Sequence, residues 1–229
     1  MTAAMPLNVF VAGASRGVGF EVVKGLTQKG HQVVALLRTD DVRSQLESLG
    51  ASVQVGDALD ADFVQAAVQS IGSDPFAVVT TLGGKGFTRD QPRADYLGNR
   101  HLVDAVKSPH CQRFILVSSI GVRESAVALP EQVLETLRPA LLAKAKAEEH
   151  LIASGLSFTI VRPGELLSEP ATGEGILVED MRVAGSITRI DVADLVIQCL
   201  ASSKAENQVL SAVDRDRTRS EYSVVPFVL

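Results

Sequence analysis

Aromatic residues and cysteine are scarce in this chain. Among 229 residues there is no tryptophan, and there are only two tyrosines and two cysteines. Cys111 and Cys199 lie far apart and lack the spacing of metal ligands, so we expect buried thiols rather than a disulfide. Thiols of this kind are typical of a protein in a reducing compartment, and we expect a cytoplasmic location.

Basic clusters and long apolar runs are also absent. The formal net charge is −5, and no stretch gathers lysine and arginine as binding to a phosphate backbone would require. No apolar segment approaches the roughly 18 residues that span a bilayer, and residues 1–6 contain no basic region typical of a secretion signal. We therefore expect neither a nucleic-acid partner nor a membrane segment.

Short β-branched runs alternate with stretches of helical length. The runs predict strands at residues 7–12, 32–37, 52–55, 77–82, 113–118, 157–161 and 208–213. This alternation is typical of βαβ units, whose right-handed crossovers build a parallel sheet. We predict an α/β fold with a doubly wound parallel sheet of about seven strands, the Rossmann fold, in a single domain over residues 1–229.

Two stretches interrupt the alternation, residues 83–95 and residues 164–186. Both are glycine-bearing and polar, and both follow predicted strands at their carboxyl ends, where open α/β sheets bind ligands. We expect both to be loops facing the substrate and the second to act as a lid. The alternative is that they are plain surface connections.

The turn after the first predicted strand is rich in glycine and leads into an amphipathic helix. Gly13 permits the tight turn, Gly17 lets the backbone approach a pyrophosphate, and Gly19 permits close packing of helix on strand. The helix N-terminus adds amides and a partial positive charge. The pattern predicts a nicotinamide dinucleotide site; the alternative is a glycine-rich loop without a ligand. The predicted contacts in this turn are Gly13, Ser15, Arg16, Gly17, Val18 and Gly19.

Arg38 follows the second predicted strand, where folds that prefer NAD usually have an acidic residue. Its guanidinium can contact the adenine or the 2′-phosphate, and Arg16 can join that contact. The pair predicts NADP(H) rather than NAD, although Asp40 and Asp41 lie nearby and either arginine can instead be solvated.

The ends of the third and fourth predicted strands supply further cofactor contacts. Asp57 can accept a hydrogen bond from the adenine amino group, cap the next helix, or do both. The small residues at 83–86 let the backbone approach the ribose and nicotinamide. The predicted contacts here are Asp57, Ala58, Leu82, Gly83 and Gly84.

Four further segments accompany the glycine turn, Arg38 and Asp57. They are YLGNRHLVDA at residues 96–105, FILVSS at 114–119, SGLSFTIVRPG at 154–164 and ITRIDVAD at 187–194. Together these features resemble the short-chain dehydrogenase/reductase superfamily, and within it the atypical NmrA-like NAD(P)-binding members. The resemblance extends over nearly the whole chain.

The resemblance implies that Ser119 and Lys144 form the catalytic site. Ser119 would orient a ligand and Lys144 would hold the nicotinamide ribose, with Ser118 and Pro163 also beside the cofactor. Lys144 is alternatively a solvated lysine on an amphipathic helix. The usual catalytic tyrosine, four residues before the lysine, is replaced by Ala140, so the superfamily's ordinary proton donor is missing.

Among members without this tyrosine, the chain resembles flavin reductases that also act as beta-type biliverdin reductases. Their chemistry needs no phenol, because hydride passes directly from the nicotinamide to a stacked heterocycle and solvent supplies the proton. The resemblance implies an NADPH-dependent reductase of a planar acceptor, namely a flavin, tetrapyrrole or quinone-like molecule. Residues 83–86, Ser119, residues 162–164 and the second loop would orient the acceptor and exclude water.

Two other functions compete with the reductase. The NmrA-like resemblance allows an NADP(H)-binding redox sensor or assembly protein without turnover, and a nucleotide-sugar epimerase has less support because it normally uses the tyrosine. His101, His110 and His150 lack companion ligands at useful spacing, so we expect surface or capping roles and no metal. The sequence indicates no oligomeric state.

Overall fold

Strands and helices alternate along most of the chain. The computed structural model describes residues 6–84, 93–106, 110–220 and 223–229. Its first elements are β1 (Asn8–Ala12), α1 (Gly17–Gln28), β2 (Gln32–Leu37), α2 (Arg43–Ser48), β3 (Ser52–Val55), α3 (Ala61–Gln69) and β4 (Phe76–Thr80). A π-helix (Ala94–Gly98) then leads to α4 (Asn99–Ala105), β5 (Cys111–Val117), α5 (Glu131–Ala153) and β6 (Phe158–Pro163). The last elements are β7 (Glu165–Leu167), β8 (Gly175–Val178), β9 (Ala184–Thr188), α6 (Arg189–Ala201), β10 (Gln208–Asp214) and β11 (Thr218–Arg219).

The main sheet has the strand order β3-β2-β1-β4-β5-β6-β10-β8. The pairings from β3 to β10 are parallel, and β8 joins antiparallel at the edge. From β1 the chain adds β2 and then β3 on one side, and it later adds β4 on the other side of β1. The connections at the carboxyl ends of β1 and β4 therefore diverge, and a crevice opens between these two ends. The predicted doubly wound α/β fold is confirmed.

Two hydrophobic cores cover the faces of this sheet. Val9 and Val11 of β1 pack on one side with apolar residues of α1 and α6, while Phe10 and Ala12 pack on the other with those of α3, α4 and α5. Successive side chains of a strand point to opposite faces, so a strand buried on both sides must be apolar throughout. This is why the strands read as continuous apolar runs rather than as alternating ones.

The predicted strand count and second loop need correction. The main sheet has eight strands rather than seven, and a smaller sheet adds the order β11-β9-β7. Residues 164–186 therefore hold β7, β8 and part of β9 instead of forming one long loop. These strands are three to five residues long and lie among glycine, glutamate and proline, so their short apolar runs give little periodicity to detect.

Asp191, near the start of α6, fixes the middle of this segment. Its carboxylate accepts hydrogen bonds from the Thr172 and Gly173 amides at 2.9 and 3.0 Å. It also accepts one from the Thr188 hydroxyl at 2.7 Å. These hydrogen bonds hold the pKa of Asp191 below its usual value, although burial alone would raise it. The segment is thus tied to the body of the protein at its centre.

Candidate functional site

Thr81, which follows β4, is hydrogen-bonded to the end of β1 across the crevice. Its amide donates to the Ala12 carbonyl oxygen at 2.9 Å, and its hydroxyl donates to the Gly13 carbonyl oxygen at 3.1 Å. Gly13 has a φ of 84°, which favours glycine, and a Cβ there would lie 2.7 Å from the Thr81 hydroxyl oxygen. The turn is therefore held tightly against the end of β4.

At Gly19 the first turn of α1 packs directly against the backbone of the glycine turn. A Cβ on this residue would collide with the Gly13 carbonyl oxygen. Arg16 precedes the helix in an extended conformation without a side-chain cap, and no acidic residue lies in the first turn of α1. The first amides of the helix thus remain available to an anion, as the pyrophosphate of a dinucleotide requires.

A cavity of about 840 Å³ opens in front of this turn. It lies at the carboxyl ends of β1, β4, β5 and β6 and is bounded on its far side by β7. Seven of the residues predicted as cofactor contacts or catalytic residues line it: Arg16, Gly17, Val18, Ser118, Ser119, Lys144 and Pro163. The remaining predicted contacts are not in its lining; they are Gly13, Ser15, Gly19, Arg38, Asp57, Ala58, Leu82, Gly83 and Gly84.

Arg38 and Asp57 lie at neighbouring strand ends, on the side where the adenosine part of a dinucleotide would extend. Arg38 is exposed just after β2 and has no hydrogen-bond or ion-pair partner in the described part of the chain. Asp57 accepts from the Leu59 amide at 2.9 Å. The alternative role of Asp57 as a helix cap is wrong, because Asp60 caps α3 through the Phe63 amide.

The buried carboxylate of Asp95 holds the end of β4 on the opposite side. It accepts from the Gly84 amide at 2.8 Å and pairs with Arg93, also at 2.8 Å. The backbone of Gly84 is thus held in place by a buried carboxylate. The predicted backbone contacts at Lys85 and Gly86 lie outside the described residues.

Ser118 and Ser119 differ in what their hydroxyl groups contact. Ser118 donates to Glu148 at 2.5 Å, and Glu148 receives two further hydrogen bonds from Arg162 at 2.7 and 3.1 Å. Arg162 is 1% exposed, so its ion pair with Glu148 lies in the interior of the protein. Its predicted part in excluding water from the cavity is not seen, since it is absent from the lining. Ser119 donates to the Ile120 carbonyl oxygen at 2.9 Å and lines the cavity.

Lys144 is half-buried and reaches the cavity from α5. Its Nζ donates to the Val117 carbonyl oxygen at 3.3 Å, at the end of β5. Burial lowers the pKa of this ammonium group, while the carboxylates of Asp95 and Glu148 oppose that shift. The structure therefore brings Ser119 and Lys144 to one cavity, and the alternative of a fully solvated lysine does not apply.

Several cavity residues were missed by the sequence analysis. They are Glu21, Thr81, Val117, Arg189 and Ile190. Gly164 and Leu166 to Glu169 also line the cavity, as expected of the segment 164–186 that the sequence predicts to face the substrate, whereas Arg189 and Ile190 fall in the ITRIDVAD segment, which supports only the resemblance. No local pattern separates these residues from ordinary loop and helix-start residues.

His101 and His150 lie outside the cavity lining and contact other parts of the protein. His101 contacts the Ala58 carbonyl oxygen at 3.1 Å, and His150 contacts Asp104 at 2.9 Å. Within the described residues, no group of His, Cys, Asp or Glu has the arrangement of a metal site. In the same residues, no helix is long and apolar enough to cross a bilayer.

The geometry agrees with a comparison against known families. A sequence profile for NAD(P)H binding matches residues 13–203. The chain belongs to the NAD(P)H-binding family. This membership confirms the predicted resemblance and the predicted nicotinamide cofactor.

Relatives within and around this family include proteins similar to the chain over almost its full length. The anaerobillin reductase ChuY of Escherichia coli O157:H7 is 32% identical, with a TM-score of 0.81, over 93% of this chain and 100% of that protein. YhfK of Bacillus subtilis, described as an uncharacterized sugar epimerase, is 30% identical over 94% of this chain and 98% of its own length. The uncharacterized chloroplastic protein At2g34460 of Arabidopsis thaliana is 32% identical over 91% and 77%, respectively. The NAD(P)H-binding family match, together with the similarity to a reductase over almost the full length of both chains, supports the predicted oxidoreductase class.

Proposed function

We propose that this protein transfers hydride from NADPH to a planar conjugated acceptor such as a flavin or a tetrapyrrole. The observation that carries the proposal is the composition of the cavity. One side is the glycine turn, the other carries Leu166 and Leu167 next to the polar Ser168 and Glu169, and among the described lining residues there is no tyrosine. A flat conjugated acceptor can stack on the two leucines without a phenol as proton donor.

The chain's own groups would orient the acceptor and stabilise charge. A bound reduced nicotinamide supplies the hydride. The Lys144 ammonium group lies on the cavity floor beside the end of β5, where it can stabilise negative charge that develops on a reduced acceptor. The Ser119 hydroxyl offers a second polar contact on the same floor. Water reaching the open cavity would supply the proton.

Two further observations support NADPH over NADH. Arg38 is exposed and without a partner in the described residues, and Arg16 lines the cavity at the start of α1. Both are available to a 2′-phosphate.

The similarity to an anaerobillin reductase supports reduction as the reaction. We also propose a cytosolic location, because both cysteines are free and buried, and burial raises the pKa of each thiol to about 12.

The test is a turnover assay with purified protein and NADPH. FMN, biliverdin and a quinone would each be added, and the loss of reduced-nicotinamide absorbance would be followed against a reaction without protein. We expect turnover with at least one of these acceptors and a lower rate for Ser119→Ala. NADPH binding without turnover of any acceptor would contradict the proposal and favour a redox sensor; conversion of a nucleotide sugar would favour an epimerase.

A further inference from the structure

Arg189 lines the cavity beside the glycine turn. It is the first residue of α6, and its Cδ and Nε lie 3.5 Å from the position that a Cβ on Gly17 would occupy. Gly17 is itself the first residue of α1. The guanidinium therefore stands beside the helix start that the family uses for the dinucleotide pyrophosphate.

One nitrogen of Arg189 is hydrogen-bonded to the wall of the cavity formed by residues 166–169. Nη1 donates to the Leu166 carbonyl oxygen at 3.0 Å and to the Ser168 hydroxyl at 2.7 Å. Within the described residues, Nε and Nη2 have no hydrogen-bond partner. A guanidinium has five N–H groups in a fixed plane, so one edge can bind the wall while the other binds a phosphate oxygen.

The neighbouring charges leave this cation available. The two carboxylates that line the same cavity are paired elsewhere, Glu21 with Lys24 at 3.6 Å and Glu169 with Arg217 at 2.8 Å. The start of α6 is occupied by its own residues, because the Thr188 hydroxyl accepts from the Asp191 amide at 3.1 Å. An anion between the two helices would thus meet the α1 amides on one side and the Arg189 side chain on the other.

We propose that Arg189 binds the pyrophosphate of the dinucleotide with Nε and Nη2 and so links cofactor binding to the acceptor wall at Leu166 and Ser168. A bound phosphate would fix the guanidinium, and the guanidinium would fix the wall through Nη1. This inference rests on dinucleotide binding, which the family establishes, and is independent of which acceptor is reduced.

The binding test uses calorimetric titration of the whole chain with NADPH, NADH and 2′-AMP. Arg189→Ala is expected to weaken NADPH and NADH equally, by about 10- to 100-fold, since a hydrogen bond to a charged group is lost. Affinity for 2′-AMP, which lacks the pyrophosphate, should stay unchanged. Arg215→Ala is a matched control, because Arg215 is exposed, pairs with Glu174 and lies outside the cavity; it should bind all three ligands as the wild type does.

Two results would overturn the assignment. Unchanged affinity for NADPH would remove the contact, and a loss confined to NADPH would place Arg189 at the 2′-phosphate. If Arg189→Ala does not fold, Arg189→Gln removes the charge with a smaller change in shape and carries the same expectations. None of these titrations needs acceptor turnover, so failure of the proposed reductase activity would leave them interpretable.

Hydrogen exchange tests the link to the wall. NADPH should slow exchange of the backbone amides at residues 166–169 in the wild type, and this protection should be lost in Arg189→Ala at saturating NADPH. Equal protection in both proteins would contradict the link.

Discussion

The hydroxyl of Ser118 donates a hydrogen bond to Glu148 at 2.5 Å, and the same carboxylate binds Arg162 through two nitrogens. A strand-end serine beside the cavity is thereby joined to a fully buried ion pair between α5 and β6. Glu148 lies one helical turn after Lys144, so the pair fixes the part of α5 that carries the lysine. The interior thus sets the position of a cavity residue.

Removing the charge of Glu148 should destabilise the protein strongly. Glu148→Gln leaves the Arg162 charge largely buried, with the partly exposed Glu124 as its remaining carboxylate partner at 2.9 Å. We expect a loss of about 3 kcal/mol in the free energy of unfolding, measured by urea denaturation. The adjacent Glu149→Gln is the control, because Glu149 is 60% exposed and its pair with Arg123 contributes less than about 1 kcal/mol. Similar losses for both variants would show that the buried pair has no special weight.

A methyl group at Gly19 should disturb both the fold and the cofactor site. Gly19→Ala places the added carbon against the Gly13 carbonyl oxygen, so the turn must shift. We expect a loss of about 1–3 kcal/mol in unfolding free energy and weaker NADPH binding by calorimetry. Gly30→Ala serves as the comparison, since Gly30 has open space around it and a φ of 82°. That variant should lose about 1 kcal/mol through backbone strain while keeping its NADPH affinity; reduced affinity there would contradict a local effect at the turn.

Replacing Arg38 should separate the two nicotinamide cofactors. Because its side chain is exposed and unpartnered among the described residues, Arg38→Ala should have little effect on stability. It should weaken NADPH binding by about tenfold or more and leave NADH binding nearly unchanged, since only NADPH carries the 2′-phosphate. Equal losses for both cofactors, measured by calorimetry, would remove the assignment to NADP(H).

Lys144 should make stability depend on pH in the alkaline range. Burial lowers the pKa of Lys144 below its ordinary value of 10.5, so between the lowered value and 10.5 the unfolded chain binds more protons than the folded one. The free energy of unfolding should therefore gain a contribution that rises with pH through this interval, and Lys144→Met should lack it. Lys146→Met, which removes a lysine lying over the Tyr96 ring 5.8 Å from its centroid, is the control. Identical pH profiles for wild type and Lys144→Met, from denaturation at several pH values, would contradict the expected rise.

Much of the central sheet could be predicted because its signals are local. The seven strands expected from β-branched runs all form, with ends shifted by no more than two residues. The glycine turn could be predicted for the same reason, because the positive φ of Gly13 and the contact of Gly19 with the Gly13 carbonyl oxygen both lie within the turn; the contact of Gly13 with the distant Thr81 could not be predicted. Ser119 and Lys144 came from resemblance, and the structure brings both to the cavity.

Residues 164–186 were expected to face the substrate, but their strands and side-chain contacts could not be predicted, because these join distant parts of the chain. β7 pairs with β9 across a segment that looks like a polar loop, and Arg189 reaches Ser168 across 21 positions. Ser118 and Glu148 are 30 positions apart, and nothing near either residue indicates the other.

The sequence by itself determined the alternation of strands and helices and the position of the glycine turn, since apolar runs and glycine positions act over one element at a time. Only the tertiary structure decided which side chains face the cavity, because that depends on how β7, β9 and α6 pack against the turn. The close approach of the Arg189 side chain to Gly17 results from this packing, and no motif in the chain predicts it.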